Sequence, residues 1–288
     1  MLARPLLCGY YGEHNIGDDA LLQALLSGLP AEAKPCVTAA DQQQVQQRFG
    51  VFTCDRRRLR STLQALADCD GLILGGGSLL QDSTSWRSLL YYAALILTAR
   101  LQGKPVILWA QGLGPLRRRR SRALVARLLP LVSAASWRDR QSAELAQQLA
   151  GVSRAMDPVA ADPVGTLPPM HWRGRGGPIV LAWRTSRLLT DADWRVLLQA
   201  LSALAEHNDR PVLWLPLHDI QDGGLMERLK GQGLLPESLA ARSREIRLQR
   251  PEELMAQASA AGLVLAMRLH GLIPVSYTHL TLPTILLV

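Results

Sequence analysis

Polar and glycine-rich segments follow four short apolar runs in the first half of the chain. Each run has the composition of a buried strand, and the carboxyl ends of parallel strands meet at one edge of a sheet. Glycines at such an edge let backbone N–H groups approach an anion. The candidate binding residues are Gly12, Asn15, Asp18, Gly76, Gly77, Gln81, Asp82, Gln111, Gly112 and Arg138. For any single glycine, close packing against another part of the backbone is an equally good explanation.

A second motif, Arg268-Leu269-His270, lies near the end of the sequence. In an extended segment, Arg268 and His270 would project to the same side. A guanidinium can bind a carboxylate or phosphate through two parallel hydrogen bonds, and a histidine can transfer a proton near neutral pH. These two residues are therefore the candidate catalytic pair. A structural arginine and a capping histidine are the simpler explanation of an isolated R-x-H pattern.

Several other kinds of site are not expected. The segment 9–18 fits neither G-x-G-x-x-G nor the Walker pattern, so no dinucleotide or P-loop cofactor is predicted. The four cysteines lack metal-binding or disulfide spacing, and no metal is expected. The formal charge of +8, almost all from arginine, favours anionic ligands. Neither Arg56–Arg58 nor Arg117–Arg120 alternates with aromatic residues, so nucleic acid is not an expected partner.

The apolar runs also bear on location. The first residues show no signal-peptide pattern, and the longest apolar run, 89–99, is too short to span a bilayer. A cytoplasmic protein is therefore expected. A peripheral contact between Arg117–Arg120 and anionic lipid at the inner face of the membrane stays open.

Short apolar runs alternate with longer amphipathic runs, which is the pattern of parallel βαβ units. Strands are predicted at 5–9, 71–75, 106–110, 134–137, 179–183, 212–215 and 263–267. A helix is predicted along the leucines of 21–29, with Asp18 and Asp19 capping its start. Further helices are predicted at 88–101, 121–131, 142–149, 191–207, 224–230 and 251–260.

The proline- and glycine-rich segment 167–177 indicates a break between two domains. The predicted fold class is α/β, with two Rossmann-like domains facing a cleft. The bounds are 1–168 for the first domain, 169–177 for a linker and 178–273 for the second, which is expected to be incomplete because only about three strands are clear. The segment 274–288, PVSYTHLTLPTILLV, resembles a translated sequencing adapter and is expected to be a non-native tail; a terminal strand is the alternative.

The motifs GYYGEHNIGDDAL, LGGGSLLQD, GKPVILWAQGLGPL, SWRDRQSAELA, DPVAADP and MRLHGLI together resemble the bacterial polysaccharide pyruvyl transferase family, especially the branch that modifies cell-surface polysaccharides. The resemblance spans residues 5–273. It implies a GT-B-like fold, phosphoenolpyruvate as donor, no further cofactor, and a hexosyl or N-acetylhexosaminyl acceptor that is free or lipid-linked.

The resemblance also implies roles for particular residues. The family's R-L-H motif carries donor binding and catalysis, which assigns those roles to Arg268 and His270 in a donor-binding second domain. The arginine of the family's R-D element corresponds to Arg138. The family has a further basic residue beyond R-L-H, whereas this sequence departs from the family after Ile273. That departure puts the activity of this chain in question.

Two other functions fit the same fold. A GT-B glycosyltransferase acting on a nucleotide sugar would need a ribose-binding carboxylate in the second domain, for which Glu237 and Glu245 are available although neither follows an obvious strand. A non-catalytic binding or scaffolding protein would use the fold without His270.

Overall fold

A computed structural model describes residues 2–83, 85–151, 157–159, 171–268 and 271 of the chain. Contacts divide these residues into two compact units. Unit 1 holds the described residues up to Glu13 and from Asp18 to 159, and unit 2 holds His14–Gly17 and the described residues from 171 onward. The domain and linker bounds given above stay predictions.

Unit 1 is built on a parallel six-stranded sheet. Its elements in chain order are β1 Pro5–Tyr11, α1 Ile16–Ser27, β2 Cys36–Ala39, α2 Gln42–Phe49, β3 Phe52–Asp55, α3 Leu59–Asp68, β4 Gly71–Gly75, α4 Trp86–Leu101, β5 Val106–Gln111, α5 Arg119–Leu128, a 3₁₀ turn Leu129–Leu131, β6 Ala134–Trp137 and α6 Arg140–Ala150. The strand order is β3-β2-β1-β4-β5-β6, which is the order of a doubly wound Rossmann-like sheet.

Helices cover both faces of this sheet, which explains why its central strands are almost entirely apolar. All five residues of β4 are buried, as are all residues of β1 except Tyr10. One face packs Leu72 against Leu95 of α4, and the other packs Leu7 against Leu22 of α1. The two buried layers hold the strand ends in fixed positions along one edge.

Unit 2 contains a smaller parallel sheet in the described residues. Its elements are β7 Ile179–Ala182, α7 Asp191–His207, β8 Val212–Trp214, α8 Asp219–Asp222, α9 Leu225–Gly231, α10 Glu237–Arg242, β9 Ser243–Glu245, α11 Pro251–Ala260 and β10 Leu263–Ala266, with strand order β10-β7-β8-β9. Trp183 lies at the centre of one core, with its ring centroid 5.8 Å from that of Trp194 and 5.6 Å from that of Trp214.

The α/β prediction is confirmed, and all seven predicted strands are present with bounds that differ by no more than two residues. The structure contains further elements beyond those predicted. The strands β2, β3 and β9 and the helices α2, α3, α8 and α10 were not predicted, and the described part of unit 2 has four strands rather than three. These three strands have three or four residues each. β2 is buried but too short to stand out in the sequence, whereas β3 and β9 carry polar side chains and are identified by backbone pairing.

No helix in the described part of the chain is both long enough and apolar enough to cross a membrane.

Two glycines have the same left-handed backbone conformation but different neighbours. Comparing them distinguishes the energetic cost of that conformation from the cost of a steric clash. Gly12 and Gly50 both have φ of +67°. A Cβ atom on Gly12 would lie 2.8 Å from Asp41 N, whereas one on Gly50 would meet nothing within 4 Å. The glycine in the first βα turn is therefore required by the backbone that passes beside it.

We expect Gly50→Ala to lower the free energy of unfolding by about 1–2 kcal/mol, the cost of a left-handed non-glycine residue. Gly12→Ala should cost clearly more, because Asp41 must also move. Urea unfolding followed by circular dichroism measures both variants. Equal losses would show that the Asp41 contact is unimportant.

Candidate functional site

The predicted binding residues of unit 1 lie along one edge of its sheet. The strands β1, β4, β5 and β6 are consecutive neighbours, and each is followed at its carboxyl end by one of the polar or glycine-rich segments. Gly12, Gly76, Gly77, Gly112 and Arg138 therefore share this edge. Their surroundings differ, and those differences separate packing residues from candidate ligand-binding residues.

The most open part of this edge is the turn after β4. Gly77 has φ of +71°, and a Cβ atom on it would meet nothing within 4 Å. Gly77 O accepts a hydrogen bond from Gly112 N at 2.8 Å. Within the described residues, the backbone N–H groups of Gly77 and Ser78 donate to no protein acceptor. Consecutive N–H groups of this kind form an anion-binding concavity.

Arg138 lies beside this turn. It follows β6, and its Nη2 donates to Ser78 Oγ at 3.2 Å. A Cβ atom on Gly112 would overlap Ser78 Oγ and lie 2.8 Å from Arg138 Nη2, so a larger residue there would displace these two side-chain ends. Within the part of the chain that the structure describes, the nearest carboxylate oxygen is on Asp139, 3.9 Å from Arg138 Nε, so the guanidinium is only weakly paired there. The arrangement places a positive charge next to two available N–H groups.

Gln111 holds this part of the edge together. Its side chain is fully buried, and Nε2 donates to Leu74 O at 3.1 Å and to Gly76 O at 2.9 Å. Its backbone O accepts from Arg138 N at 3.0 Å. The Oε1 atom is buried and has no donor among the described residues. Gln111 therefore positions both the glycine turn and Arg138.

Gly12 and Gly76 have packing roles. Gly12 is fitted against the backbone of Asp41, and a Cβ atom on Gly76 would lie 2.9 Å from Leu21 Cδ1 on α1. Gly76 N also donates to Trp109 O at 2.9 Å. The close approach that these glycines allow is to protein atoms.

The start of α1 differs from the prediction. Asp18 and Asp19 lie inside its first turn and not before it. Asn15 Oδ1 accepts from Gly17 N at 3.1 Å, so Asn15 satisfies an N–H group at this helix start. Asp19 is buried and forms an ion pair with Arg48. The capping role expected for the aspartates belongs in part to Asn15.

Gln81 and Asp82 have local roles. Gln81 Oε1 accepts from Ser83 N at 2.7 Å. Asp82 is buried, and its two carboxylate oxygens accept from Arg117 N and Arg118 N, both at 2.9 Å. The nearby Ser121 hydroxyl and those backbone N–H groups hold the pKa of the Asp82 carboxyl below its usual value. Asp82 thus fixes the segment leading into α5.

In unit 2, Arg268 forms a bidentate ion pair that the sequence did not reveal. Its Nε lies 2.6 Å from Asp222 Oδ2, and its Nη2 lies 2.7 Å from Asp222 Oδ1. Nη2 also donates to Gln221 Oε1 at 3.1 Å. Within the described residues, Nη1 has no acceptor. Asp222 therefore occupies the Nε–Nη2 edge of the guanidinium, through which the sequence suggested bidentate ligand binding. Nη1 remains for a ligand.

Asp222 is fixed in turn by the start of α8. Its Oδ2 accepts from His218 N at 3.0 Å, and its own N donates to His218 O at 2.8 Å. Asp222 lies four residues after His218, a spacing that could have indicated this contact. His218 itself is buried.

His270 lies outside the described residues, and its catalytic role stays a prediction. The flanking glycine is described: Gly271 N donates to Arg268 O at 2.9 Å, and a Cβ atom on Gly271 would lie 2.7 Å from Ala182 Cβ. The glycine of the R-L-H-G motif is therefore needed for packing against β7.

Both carboxylates considered for binding a nucleotide sugar lie in the described residues. Glu245 does end a strand, β9, contrary to the sequence-based expectation. Its Oε2 accepts from Gly224 N at 2.9 Å, and its Oε1 lies 3.4 Å from Arg247 Nε. Glu237 begins α10. No three His, Cys, Asp or Glu residues in the described ranges are placed to hold a metal ion.

Removing the charge of Asp222 should destabilise unit 2 because Arg268 would lose its buried partner. We expect Asp222→Asn to lower the free energy of unfolding by about 3 kcal/mol. The matched control is Asp209→Asn, which removes an ion pair of 2.7 Å with Arg242 at an exposed position and should cost under about 1 kcal/mol. Urea unfolding of both variants decides the point, and equal small losses would show that the Arg268 pair is not structural.

Comparison with known proteins agrees with the motifs and the fold. No protein with a curated description matches the chain significantly. Solved structures that share its fold include the UDP-GlcNAc 2-epimerase from Methanocaldococcus jannaschii (11% identity, TM-score 0.59, covering 94% of this chain and 81% of that one), S. aureus MnaA in a co-structure with UDP (12%, 0.57, 93% and 74%), and UDP-GlcNAc 2-epimerase from Neisseria meningitidis bound to UDP-GlcNAc (12%, 0.55, 92% and 77%). At these identities the likeness shows a GT-B-like fold and nothing about ligands. The family described as polysaccharide pyruvyl transferase matches residues 15–274, so the chain belongs to the polysaccharide pyruvyl transferase family.

Proposed function

We propose that this transferase moves a pyruvyl group from phosphoenolpyruvate to a hexosyl or N-acetylhexosaminyl unit of a cell-surface polysaccharide, forming a cyclic ketal. The observation that carries the proposal is the pairing of Arg138 with the open Gly77–Ser78 turn. Arg138 Nη2 lies 3.2 Å from Ser78 Oγ, next to two N–H groups without protein acceptors in the described residues. Such a group of donors suits a phosphate or carboxylate, and phosphoenolpyruvate carries both.

The chemistry requires a proton at the right carbon. Protonation of the donor's methylene carbon makes C2 electrophilic, and a sugar hydroxyl attacks it. Loss of phosphate and attack by a second hydroxyl then close the ketal, with phosphate as the other product. We assign the proton donor to His270, because an imidazole can be protonated near neutral pH. The scheme uses no metal and no cofactor.

Arg268 is assigned to binding and orienting an anionic group near His270. Its bidentate contact with Asp222 fixes the plane of the guanidinium, with Nε–Oδ2 and Nη2–Oδ1 distances of 2.6 and 2.7 Å. A ligand would therefore receive hydrogen bonds from Nη1. Asp222 and Gln221 act as positioning residues for that contact.

The second function on this fold, transfer from a nucleotide sugar, has no specific support from the carboxylates. Glu245 is the last residue of β9 but already accepts from Gly224 N. Thermal-shift measurements with phosphoenolpyruvate, UDP and GDP separate the two functions. We expect phosphoenolpyruvate to raise the melting temperature of the protein and UDP and GDP to leave it unchanged.

The main test compares three variants for donor binding and turnover. We expect Arg138→Ala to weaken phosphoenolpyruvate binding by roughly 10- to 100-fold, since a hydrogen bond to a charged group contributes about 1.5–3 kcal/mol. Arg140→Ala is the matched control, because that arginine is exposed and only 4.0 Å from Glu144. His270→Ala should keep donor binding and lower turnover by about 10²–10⁴.

Calorimetry measures donor binding, and mass spectrometry of pyruvylated 4-nitrophenyl hexosides and N-acetylhexosaminides measures turnover. Unchanged donor binding in Arg138→Ala would remove Arg138 from the site. Near-normal turnover in His270→Ala would show that another group is the acid.

We further propose that unit 1 contacts an anionic membrane, where a lipid-linked acceptor would be presented on the cytoplasmic side. The segment 83–138 contains ten basic residues and no acidic ones. Most of its arginines are exposed on α4, α5 and the segment before α5. Basic side chains near an anionic surface contribute about 1 kcal/mol each at physiological salt.

Exposed leucines lie on the same part of unit 1. Leu90, Leu97 and Leu101 recur at helical spacing on one side of α4, and Leu101 is 88% exposed. α4 packs against α5, so these leucines and the arginines of α5 belong to neighbouring helices. Apolar side chains flanked by arginines are typical of a surface that lies in the headgroup region.

We expect the double variant Arg119→Glu/Arg122→Glu to lose at least roughly tenfold in affinity for vesicles of phosphatidylcholine with phosphatidylglycerol. The control Arg195→Glu/Lys230→Glu makes the same charge change on exposed residues of unit 2 and should bind as the unaltered protein does. Vesicle co-sedimentation measures all three proteins. Equal losses in both double variants would show that net charge alone attracts the protein.

A further inference from the structure

Three of the four cysteines come together in unit 1, although they are far apart in sequence. Cys36 is the first residue of β2, Cys54 lies in β3, and Cys69 follows α3. All three line one cavity of about 170 Å³, together with Arg4, Lys34 and Asp68. Their spacing in the sequence gave no sign of this cluster.

The sheet register places two of these thiols on one face. Cys36 pairs with Phe52 and Thr38 pairs with Cys54, so Cys36 and Cys54 are two positions apart on neighbouring parallel strands. Cys36 also pairs with Leu6, which pairs with Leu72, three residues before the end of β4. The thiol cluster therefore lies towards the amino ends of the strands, away from the edge that carries Gly77.

The three thiols differ in their surroundings. Cys54 and Cys69 donate hydrogen bonds to the sulfur of Cys36, and the positive charge of Arg4 adds to their effect. These hydrogen bonds lower the pKa of the Cys36 thiol and raise those of Cys54 and Cys69. Cys36 is also half-buried, whereas Cys54 and Cys69 are 7% and 6% exposed. The sulfur with most thiolate character is thus the most accessible of the three.

We propose that Cys36 is a redox-reactive thiol that forms a disulfide with Cys54 or Cys69 when it meets hydrogen peroxide or a similar two-electron oxidant. The Cys36 thiolate attacks one peroxide oxygen, the O–O bond breaks, and Cys36 becomes a sulfenic acid as hydroxide leaves. The neighbouring thiol then attacks the Cys36 sulfur, forming the S–S bond and releasing water after proton transfer. Two sulfurs are oxidised by two electrons in total, and one peroxide is reduced.

The two neighbouring thiols are placed differently. Positions offset by two residues on adjacent strands have Cα atoms about 7–8 Å apart, near or beyond the limit for a disulfide, so a bond to Cys54 requires backbone movement. Cys69 lies in the turn between α3 and β4, and β1 separates β4 from β2 in the sheet. The experiment decides which of the two thiols pairs with Cys36.

The chain contains its own reference thiol. Cys8 is fully buried in β1, and burial raises its pKa to about 11. Cys8 should react slowly with both alkylating agents and peroxide. Comparison of Cys36 with Cys8 within one protein removes differences in concentration and handling.

The experiment uses the full chain and iodoacetamide, with peptide mapping by mass spectrometry. An ordinary thiol, such as glutathione, reacts roughly 75-fold more slowly at pH 6 than at pH 8, because its thiolate fraction falls below a pKa near 8.5. We expect the Cys36 rate to change less than about threefold over the same range. In the double variant Cys54→Ala/Cys69→Ala, where the two donors are gone, Cys36 should regain a strong pH dependence.

Peroxide treatment gives the second readout. We expect a Cys36–Cys69 or Cys36–Cys54 disulfide, with Cys8 still alkylatable after unfolding. Either bond supports the proposal, and Cys36→Ser should prevent both. The proposal is overturned if Cys36 reacts with an ordinary pH dependence, or if peroxide leaves the unaltered protein without a disulfide in this cluster.

Discussion

The side-chain amide of Gln111 is the contact on which the candidate binding edge of unit 1 depends. Beyond the last residue of β4 the regular ladder ends, and the chain turns through two glycines with positive φ. Gln111 Nε2 bridges the carbonyls of Leu74 in β4 and Gly76 in that turn, and its backbone O accepts from Arg138 N. Because Gln111 is fully buried, these hydrogen bonds are made away from competing water. One residue thus fixes the glycine turn and the arginine relative to each other.

The glycines along this edge divide by what lies beside them. Gly12 and Gly76 have protein atoms within 3 Å of where a Cβ would be, on Asp41 and Leu21 respectively. Gly77 has the same backbone conformation and open space instead. A glycine with no protein atom near the position of the absent Cβ leaves room for a ligand beside its backbone. Sequence shows three consecutive glycines but cannot show which of them faces empty space.

The sequence predicts the architecture well where apolar burial determines it. Strands β4 and β6 and helices α7 and α11 lie at the predicted bounds, because buried runs and helical periodicity are local patterns. Strand β9 was missed because its three residues, Ser243–Glu245, are polar and pair only through the backbone of β8. The Arg268–Asp222 ion pair and the Cys36 cluster were missed for another reason. Their members are separated by 46 and up to 33 residues, so only the folded chain brings them together.

The two candidate arginines differ in the charge that already surrounds them. Arg268 has a carboxylate bound to Nε and Nη2 at 2.6–2.7 Å, so most of its charge is compensated before any ligand arrives. Arg138 has its nearest carboxylate oxygen at 3.9 Å and a neutral hydroxyl at 3.2 Å. An anion therefore gains more electrostatic energy at Arg138, while Arg268 offers a guanidinium whose direction is fixed in advance. Strong attraction and fixed orientation are opposed in a single ion-paired arginine, and these two arginines therefore differ in which of the two properties each can offer to an anion.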